Sequence, residues 1–420
     1  MTQNPVPGLD LMPRASRGKR IGIIGGGPGG LSAALALSQA GFDVKVFERD
    51  HTTQALGGAI LLNAIGIHIL RGYGVVVDDL FTAGTSRFRR YDGHERVLWK
   101  TDPHLLRDAG VHGWISGMMR SEVYERMLAQ VPEGMICNNH KLDHYVENEH
   151  TVTVHFTNGN RYECDLVVGA DGINSKVRQQ RWGPSELKHL GIAVWLGWAE
   201  FDGASRDEMI LHHNDLYQFG FAPLRFQNKN CFEWWFVEPC TENQSKPADV
   251  KSYIKTRLRD FAYPVHDILD ATDPDEALFR WVVKYRDPLK QWSKGRITIL
   301  GDAAHPTSPY AGYGAGMAIE DGFFLGKLLA GCDLADEPSL RRGLDAYDGQ
   351  RVKYTNQVVS FARTLGWTFH NAPRPVRKLR DFFLDHTKIP DKQISKGYTE
   401  DAQKLLRAIL DAENMKTQLR

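Results

Sequence analysis

The first patterned stretch of the chain, Ile21-Gly22-Ile23-Ile24, is short, apolar and β-branched, which predicts a buried strand rather than an amphipathic helix. It halts at Gly25-Gly26-Gly27-Pro28-Gly29-Gly30, and a helix-like stretch follows at once from Leu31 to Ala40. A second strand pattern, Val44-Lys45-Val46-Phe47, delivers Glu48 at its end. Apolar periodicity predicts a helix up to about Tyr73 and another after Arg120, where positions 123, 124, 127 and 128 form one stripe. Residues 151–168 alternate, turn at Asn158-Gly159, and resume as a hairpin feeding the buried strand Asp165-Leu166-Val167-Val168. Between about 183 and 282 the pattern shifts to aromatic-rich runs, Ala193–Trp198, Leu216–Phe221 and Cys231–Phe236, which predict an antiparallel sheet. Val250–Leu269 reads as a helix over one face of it, and Leu278–Val283 as a returning strand. A strand over Arg296–Leu300, a helix from about Ala315 to Ala330, and a final helix within Ala402–Leu419 complete the order.

These elements predict an α/β fold, two-lobed in the α+β sense: a Rossmann-like domain, an inserted antiparallel-sheet domain and a C-terminal helical segment. At 420 residues the chain exceeds one ordinary core. Residues 1–18 hold three prolines and no periodicity, and read as a flexible arm. The Rossmann-like domain is expected over 19–182, with segments of the other lobe interleaved around 75–115, and again over 286–360. The sheet domain is expected over 183–285 and the helical segment over 361–420.

Composition narrows the partners. Fifty-two basic against 51 acidic residues give a net charge of +1 with no basic block, so neither a nucleic acid nor an anionic surface is expected to bind. The five cysteines are odd in number and lack metal-ligand spacing, which predicts reduced thiols, no metal and a cytoplasmic protein. No run of about 18 apolar residues predicts a membrane span. A monomer or homodimer acting on a small molecule is the expectation, with the final helix packed on the Rossmann-like lobe or on another subunit.

Three segments carry chemistry. The glycine run fits G-x-G-x-x-G: Gly25 turns the strand into the helix, Gly27 lets the backbone approach a pyrophosphate, and Gly30 permits close packing, with phosphates on the helix N-terminus. Glu48, about twenty residues on, suits a ribose diol. The second segment, Gly169-Ala170-Asp171-Gly172, has Ser175 and Arg178 following at helical spacing, which a mere turn does not explain. The third, Gly301-Asp302-Ala303-Ala304-His305 with Pro309, Gly312, Gly314, Ala315 and Gly316, ends a strand on a carboxylate and opens a glycine-rich helix. Asp302 there either binds a sugar hydroxyl or caps the following turn. Gly57-Gly58 either meet a flat ligand or form an ordinary turn. Arg120 at a helix start gains nothing from the dipole, and is either solvated or aimed at a phosphate or carboxylate.

With these three segments in this order, the chain resembles single-component FAD-dependent monooxygenases of the para-hydroxybenzoate hydroxylase type, the aromatic-ring hydroxylase family, over roughly residues 19–360. Gly25–Gly30 with Glu48 matches the family's FAD fingerprint, Asp171-Gly172 its "DG" motif, and Gly301-Asp302 its "GD" motif. The resemblance implies that Gly25, Gly27, Gly29 and Gly30 cradle FAD, that Glu48 binds the adenosine ribose, Arg120 the pyrophosphate or ribityl region, and Asp302 the ribityl chain. Gly58, Pro309, Gly312, Gly314, Ala315 and Gly316 would lie about the flavin ring, and Asp171 and Arg178 near the pyrophosphate. Arg49 is a further nicotinamide-cofactor candidate, or simply exposed. The chain departs from the family in carrying Tyr313 where many relatives have Gln, and in keeping only Asn63 of an Asn-Pro-Asn-like element.

The implied reaction consumes NADPH or NADH and O2 and hydroxylates an aromatic or polyketide-like molecule through a flavin C4a-hydroperoxide. Electrophilic oxygen transfer is assisted by a base. Tyr310 is the first candidate, followed by Tyr217 and by His213 or its neighbour His212, which must face opposite sides of a strand. His305 is read as support for its loop. The Trp-x-Trp-x-Ile-Pro element usual in flavin-dependent halogenases of this fold is absent here. A flavin-dependent reductase and a non-catalytic binding protein are also compatible with the fold.

Overall fold

The computed structural model describes residues 10–11, 17–51, 58–77, 82–100, 115–275, 277–312, 314–388, 400 and 403–412. Strand β1 (Arg20–Ile24), helix α1 (Pro28–Gln39) and strand β2 (Asp43–Phe47) form the opening unit. Then come β3 (Ala59–Asn63), β4 (Ile115–Met119), α2 (Arg120–Leu128), β5 (Leu166–Gly169) and α3 (Lys176–Trp182). The aromatic region supplies β6 (Lys188–Glu200), β7 (Glu208–His213), β8 (Gln218–Phe226) and β9 (Lys229–Pro239), helices α4 (Val250–Arg257) and α5 (Val265–Ala271), and β10 (Leu278–Tyr285). Strand β11 (Ile297–Ile299) and helices α6 (Gly314–Leu329), α7 (Glu337–Gly366) and α8 (Arg374–His386) follow.

Strands β11, β5, β1 and β2 lie side by side and parallel, extended by Ile136–Cys137 and edged by the antiparallel pair Ser293–Lys294. Strands β1, β5 and β11 are buried throughout, as the central strands of a parallel sheet are. Their carboxyl ends release the glycine run, the DG segment and the GD segment next to one another, the edge where open α/β sheets bind ligands. Helices α1 and α6 cross so closely that Cβ atoms at Gly322 and Gly326 would lie 2.4 Å from Ala33 N and from Ala36 Cβ. A separate surface depression of about 550 Å³, lined by Arg17, Arg20, Thr151 and Glu163 among others, sits at the opposite end of β1.

The large sheet runs in the order β10, β6, β9, β8, β7, Thr85–Arg90, Glu95–Lys100. The five strands within 188–285 pair antiparallel as expected, but the whole sheet is mixed. Strand β7 pairs parallel with Thr85–Arg90, and β8 touches β4 in parallel at Leu224 and Gly117. Alternation along each strand separates two faces. On the outer face Trp195, Phe219, Phe221, Phe232, Trp234 and Phe236 form a core with α4 and α5. On the inner face Val194, Leu196, Trp235, Val237 and Val283 cluster with Tyr310 of the GD segment.

Several expectations are corrected. Val250–Leu269 is two helices: the first ends at Arg257 with Leu258 as its C-cap, and Pro264, which has no N–H to leave unpaired, stands at the start of the second. Within the expected arm, Asp10–Leu11 forms a strand beside Arg161–Tyr162. Helix α7 runs through residue 360, so the segment expected over 361–420 begins inside a helix. Residues 403–412 are helical; the remainder of Ala402–Leu419, most of 1–18, 101–114, Gly57 and Tyr313 lie outside the described residues.

Candidate active site

In the glycine run, each position has a distinct steric setting. Gly25 has φ +103°, and a Cβ there would lie 2.4 Å from the Ala170 carbonyl oxygen. A Cβ at Gly30 would lie 2.0 Å from Gly25 O, and one at Gly29 2.8 Å from Leu300 Cδ1. At Gly27, the N-cap of α1, a Cβ would meet nothing within 4 Å. Glu48 holds the loop from the side: its carboxylate accepts the Gly26 N–H at 2.8 Å, together with those of Arg49 and Asp50. The Tyr124 hydroxyl donates to Gly26 O. Arg49 itself projects into solvent beside Asp50.

Arg120 begins α2, and its N–H donates to Gly58 O at 3.2 Å. Its guanidinium stacks over Trp281 of β10, 5.0 Å from the ring centroid. Burial pushes the Arg120 pKa down while the Asp302 charge opposes this; burial pushes Asp302 up while His305 and Arg120 oppose it. The two ions therefore feel each other across the cleft between α2 and the GD loop. Asp302 is solvent-accessible there, yet ringed by enough protein to be desolvated. Gly58 lies against Phe279, 3.5 Å from where its Cβ would be, and Gly312, at φ +57°, opposes Leu61.

In the DG segment the polar groups bind the chain itself. Asp171 accepts from the Ser175 hydroxyl and from the N–H groups of Lys176 and Val177, capping α3. Arg178 is buried and donates to the carbonyls of Ala303, Ala304 and Asp287 at 3.0–3.2 Å. Its guanidinium thus fastens the DG helix to the GD loop, and burial lowers its pKa to about 10. Below that loop Asp321 accepts from Gly301 N–H (3.0 Å), His305 Nε2 (2.5 Å) and Arg351 Nε (2.8 Å), while Arg351 also pairs with Glu320 at 2.9 Å. Against the opposing effect of burial, His305 and Arg351 hold Asp321 below the ordinary carboxylate range. His305, stacked on Trp292, is a loop support in this network.

The inner face of the sheet sorts the proposed bases. Tyr310 follows Pro309 in a single 3-10 turn, and its ring packs on this face. Its hydroxyl reaches Gln218 Oε1 and His370 Nε2, the latter at 2.7 Å, and His370 Nδ1 lies 2.6 Å from Leu216 O. Burial pushes Tyr310 upward and lowers His370 to about 3, so both are neutral near pH 7. His213 joins them, with its ring 4.5 Å from Phe369 and 6.1 Å from His370, whereas His212 turns to the outer face and stacks near Phe221. Tyr217 also turns outward and packs on Phe236, which corrects its candidacy as a base over the cleft. Sequence pattern does not point to Gln218 or His370: His370 lies 60 residues beyond Tyr310, in a π-helical turn after α7.

Three motif loops at adjacent strand ends, a glycine cradle at a helix N-terminus and an acid at the end of β2 fit FAD. The unfilled side-chain position at Gly27 is the structural observation that tests the fit. Fold and site define an FAD-dependent monooxygenase of the aromatic-ring hydroxylase type. The chain belongs to the FAD binding domain family, which matches residues 19–362. It is 28% identical over 341 residues to 6-hydroxynicotinate 3-monooxygenase of Pseudomonas fluorescens, covering 75% of this chain and 83% of that one. Its fold is similar to that of Klebsiella pneumoniae HpxO complexed with FAD and uric acid (TM-score 0.80, 23% identity, 92% and 97% of the two chains). A salicylate hydroxylase substrate complex shares the fold as well (TM-score 0.70, 20% identity, 92% and 97%). Among the described residues, no helix is long and apolar enough to cross a membrane, no group of His, Cys, Asp and Glu is placed to hold a metal, and all five cysteines are free thiols.

Proposed function

We propose that this enzyme hydroxylates a small electron-rich aromatic ring held between the GD loop and the inner face of the large sheet. The observation that carries the reading is the convergence of the three motif loops beneath that face, with Tyr310 reaching from one to the other. FAD, when bound, supplies reduction by NADPH or NADH and activation of O2 for transfer of one oxygen to the ring.

The chain's own residues bind and orient. Gly25, Gly27, Gly29 and Gly30 bring the N-terminus of α1 to the pyrophosphate, Glu48 takes the adenosine ribose, and Arg120 and Asp302 take the pyrophosphate and ribityl region. Gly58, Pro309, Gly312, Gly314, Ala315 and Gly316 border the ring, where α6 presents backbone N–H groups to negative charge. Asp171 and Arg178 act through the loops they fasten. In this division residues 19–182 and 286–360 serve the cofactor, and 183–285 with Thr85–Lys100 roof the substrate.

Tyr310 holds the substrate's proton in line. The short contact of His370 Nδ1 with Leu216 O makes that nitrogen the donor, so Nε2 accepts the Tyr310 hydroxyl proton. Gln218 Oε1 is the alternative acceptor of the same hydroxyl, so only one of the two bonds is made at a time. A substrate hydroxyl or ring N–H can donate to the Tyr310 oxygen while Tyr310 donates to His370 Nε2; this holds the substrate proton in line, and burial keeps both Tyr310 and His370 neutral. The relative named 6-hydroxynicotinate 3-monooxygenase supports a nitrogen-bearing aromatic among the candidate substrates, and five free thiols suit the cytoplasm.

The test is NAD(P)H oxidation with simultaneous O2 uptake by FAD-loaded protein across phenols, hydroxypyridines, quinolones and polyketides, with product masses read at the end. Oxidation stimulated by one ring class, with a mass gain of one oxygen, is expected. Flavin present without stimulation or mass gain by any of them overturns the reading.

A further inference from the structure

Glu233 is the one carboxylate in the aromatic run Cys231-Phe232-Glu233-Trp234-Trp235-Phe236, and the reaction as described leaves it idle. It is 4% exposed on β9, directly across from Ala222 on β8 and Trp198 on β6, so it shares the inner face with both. Its Oε1 has no hydrogen-bond partner. Burial alone pushes its pKa well above the ordinary carboxylate range, which favours the neutral carboxylic acid. The side chain is aimed at Gly117 of β4: a Cβ at Gly117 would stand 2.6 Å from Oε1. Gly117 is paired with Leu61 of β3, whose side chain on that same face reaches toward Gly312 in the GD segment. Glu233 therefore lies on the inner face against Gly117 of β4, on the side from which Leu61 reaches toward the GD segment.

An unpartnered acid in such a place is costly unless a ligand completes it. A carboxylic acid offers one O–H donor beside one carbonyl acceptor. The complementary ring edge is an N–H next to a C=O, the lactam edge of a 2-pyridone, quinolone or oxidised purine. We propose that Glu233 is a specificity-determining residue that reads a lactam edge on the aromatic substrate through two hydrogen bonds. This rests on the substrate placement proposed above. A carboxylate-bearing phenol is disfavoured by the same argument, because a neutral acid does not neutralise an anion.

Binding of 2-pyridone, N-methyl-2-pyridone and phenol to the FAD-loaded enzyme, measured by calorimetry, tests the assignment without turnover. In the wild type, N-methylation should weaken pyridone binding on the order of tenfold or more, since one hydrogen bond is lost and a polar pair is left unsatisfied. In Glu233→Leu the ratio of pyridone to phenol affinity should fall by about tenfold or more. Glu233→Gln, which keeps a donor beside an acceptor, should restore most of that ratio. Equal binding of the methylated and unmethylated rings by the wild type, or an unchanged ratio in Glu233→Leu, overturns the proposal even if the Leu variant is the less stable protein. Phenol-stimulated NAD(P)H oxidation with oxygen gain in that same wild type would leave the hydroxylase reading standing, whereas no stimulation by any ring would overturn that reading instead.

Discussion

Beneath the GD loop, Asp321, Arg351, Glu320 and His305 lie almost wholly out of water; Arg351 pairs with both carboxylates within 3 Å and His305 Nε2 lies 2.5 Å from Asp321, which leaves His305 Nδ1 and Arg351 Nη1 as the unpartnered atoms of these four side chains. Across the cleft, the inner and outer faces of the large sheet bury His212, His213 and Glu233 just as deeply, yet both ring nitrogens of each histidine and one oxygen of Glu233 have no partner. Floor and roof thus differ in how far the chain itself pairs their buried polar groups. The floor serves one unchanging cofactor, so its ions can be neutralised permanently by the chain itself. On the substrate placement proposed above, part of the roof would face a ligand that comes and goes, and its buried polar groups sit where an incoming partner gains most.

Acid should expose the contrast most strongly. Burial lowers His212 to about 4, His370 to about 3 and His213 well below its ordinary value. Between pH 6.5 and about 4 the unfolded chain binds protons at these positions and the folded chain does not, so stability falls as pH falls through that window. The slope approaches about 1.4 kcal/mol per pH unit for each histidine. Glu233, raised instead, acts in the opposite sense above the ordinary glutamate pKa and offsets part of the slope. Urea unfolding from about pH 7 to about pH 5 reads the sum, and a flat profile would contradict the burial of these groups.

Next in size is the floor. Arg351→Ala leaves Asp321 and Glu320 buried without their cation, and should destabilise the protein by about 3–5 kcal/mol in the same measurement. A loss below about 1 kcal/mol would mean that the network is hydrated or rearranged.

Tyr310→Phe should lower substrate-stimulated turnover on the order of a hundredfold, the low end for a positioned acid–base group, with little change in FAD content. Full coupled turnover in that variant would remove Tyr310 from the proton path. The smallest effect belongs to the cradle. Gly27→Ala should leave the flavin-free protein within about 1 kcal/mol of wild type, since its Cβ meets nothing in the chain, while weakening FAD binding on the order of tenfold. Unchanged FAD retention in dialysis would place the pyrophosphate elsewhere.

The floor is far more legible in the sequence than the roof. Glycine runs and acids at strand ends are local signals, and the three of them emerge at neighbouring strands because parallel β-strands all end at one edge. The roof offers no comparable motif. Trp195 and Trp235 are both large aromatics, yet they face opposite sides, so alternation alone does not reveal which face looks toward the cofactor. Tyr217 and Gln218 are neighbours, and the outward turn of one carries the other inward. His370 meets Tyr310 only through the path of α7 and the π turn that follows it, a tertiary contact no local pattern encodes. Arg178 is legible as a functional position but not in its task, because its three carbonyl partners come from two distant segments. The nearest thing to a local signal in the roof is Glu233, a single charge inside an aromatic strand.

The most direct measurement supplies isotopically labelled O2 to the FAD-loaded enzyme with NADPH or NADH and the ring that best stimulates oxidation. The account predicts one labelled oxygen in the organic product for each nicotinamide oxidised. Label recovered only as hydrogen peroxide or water, with the ring unchanged, would contradict it.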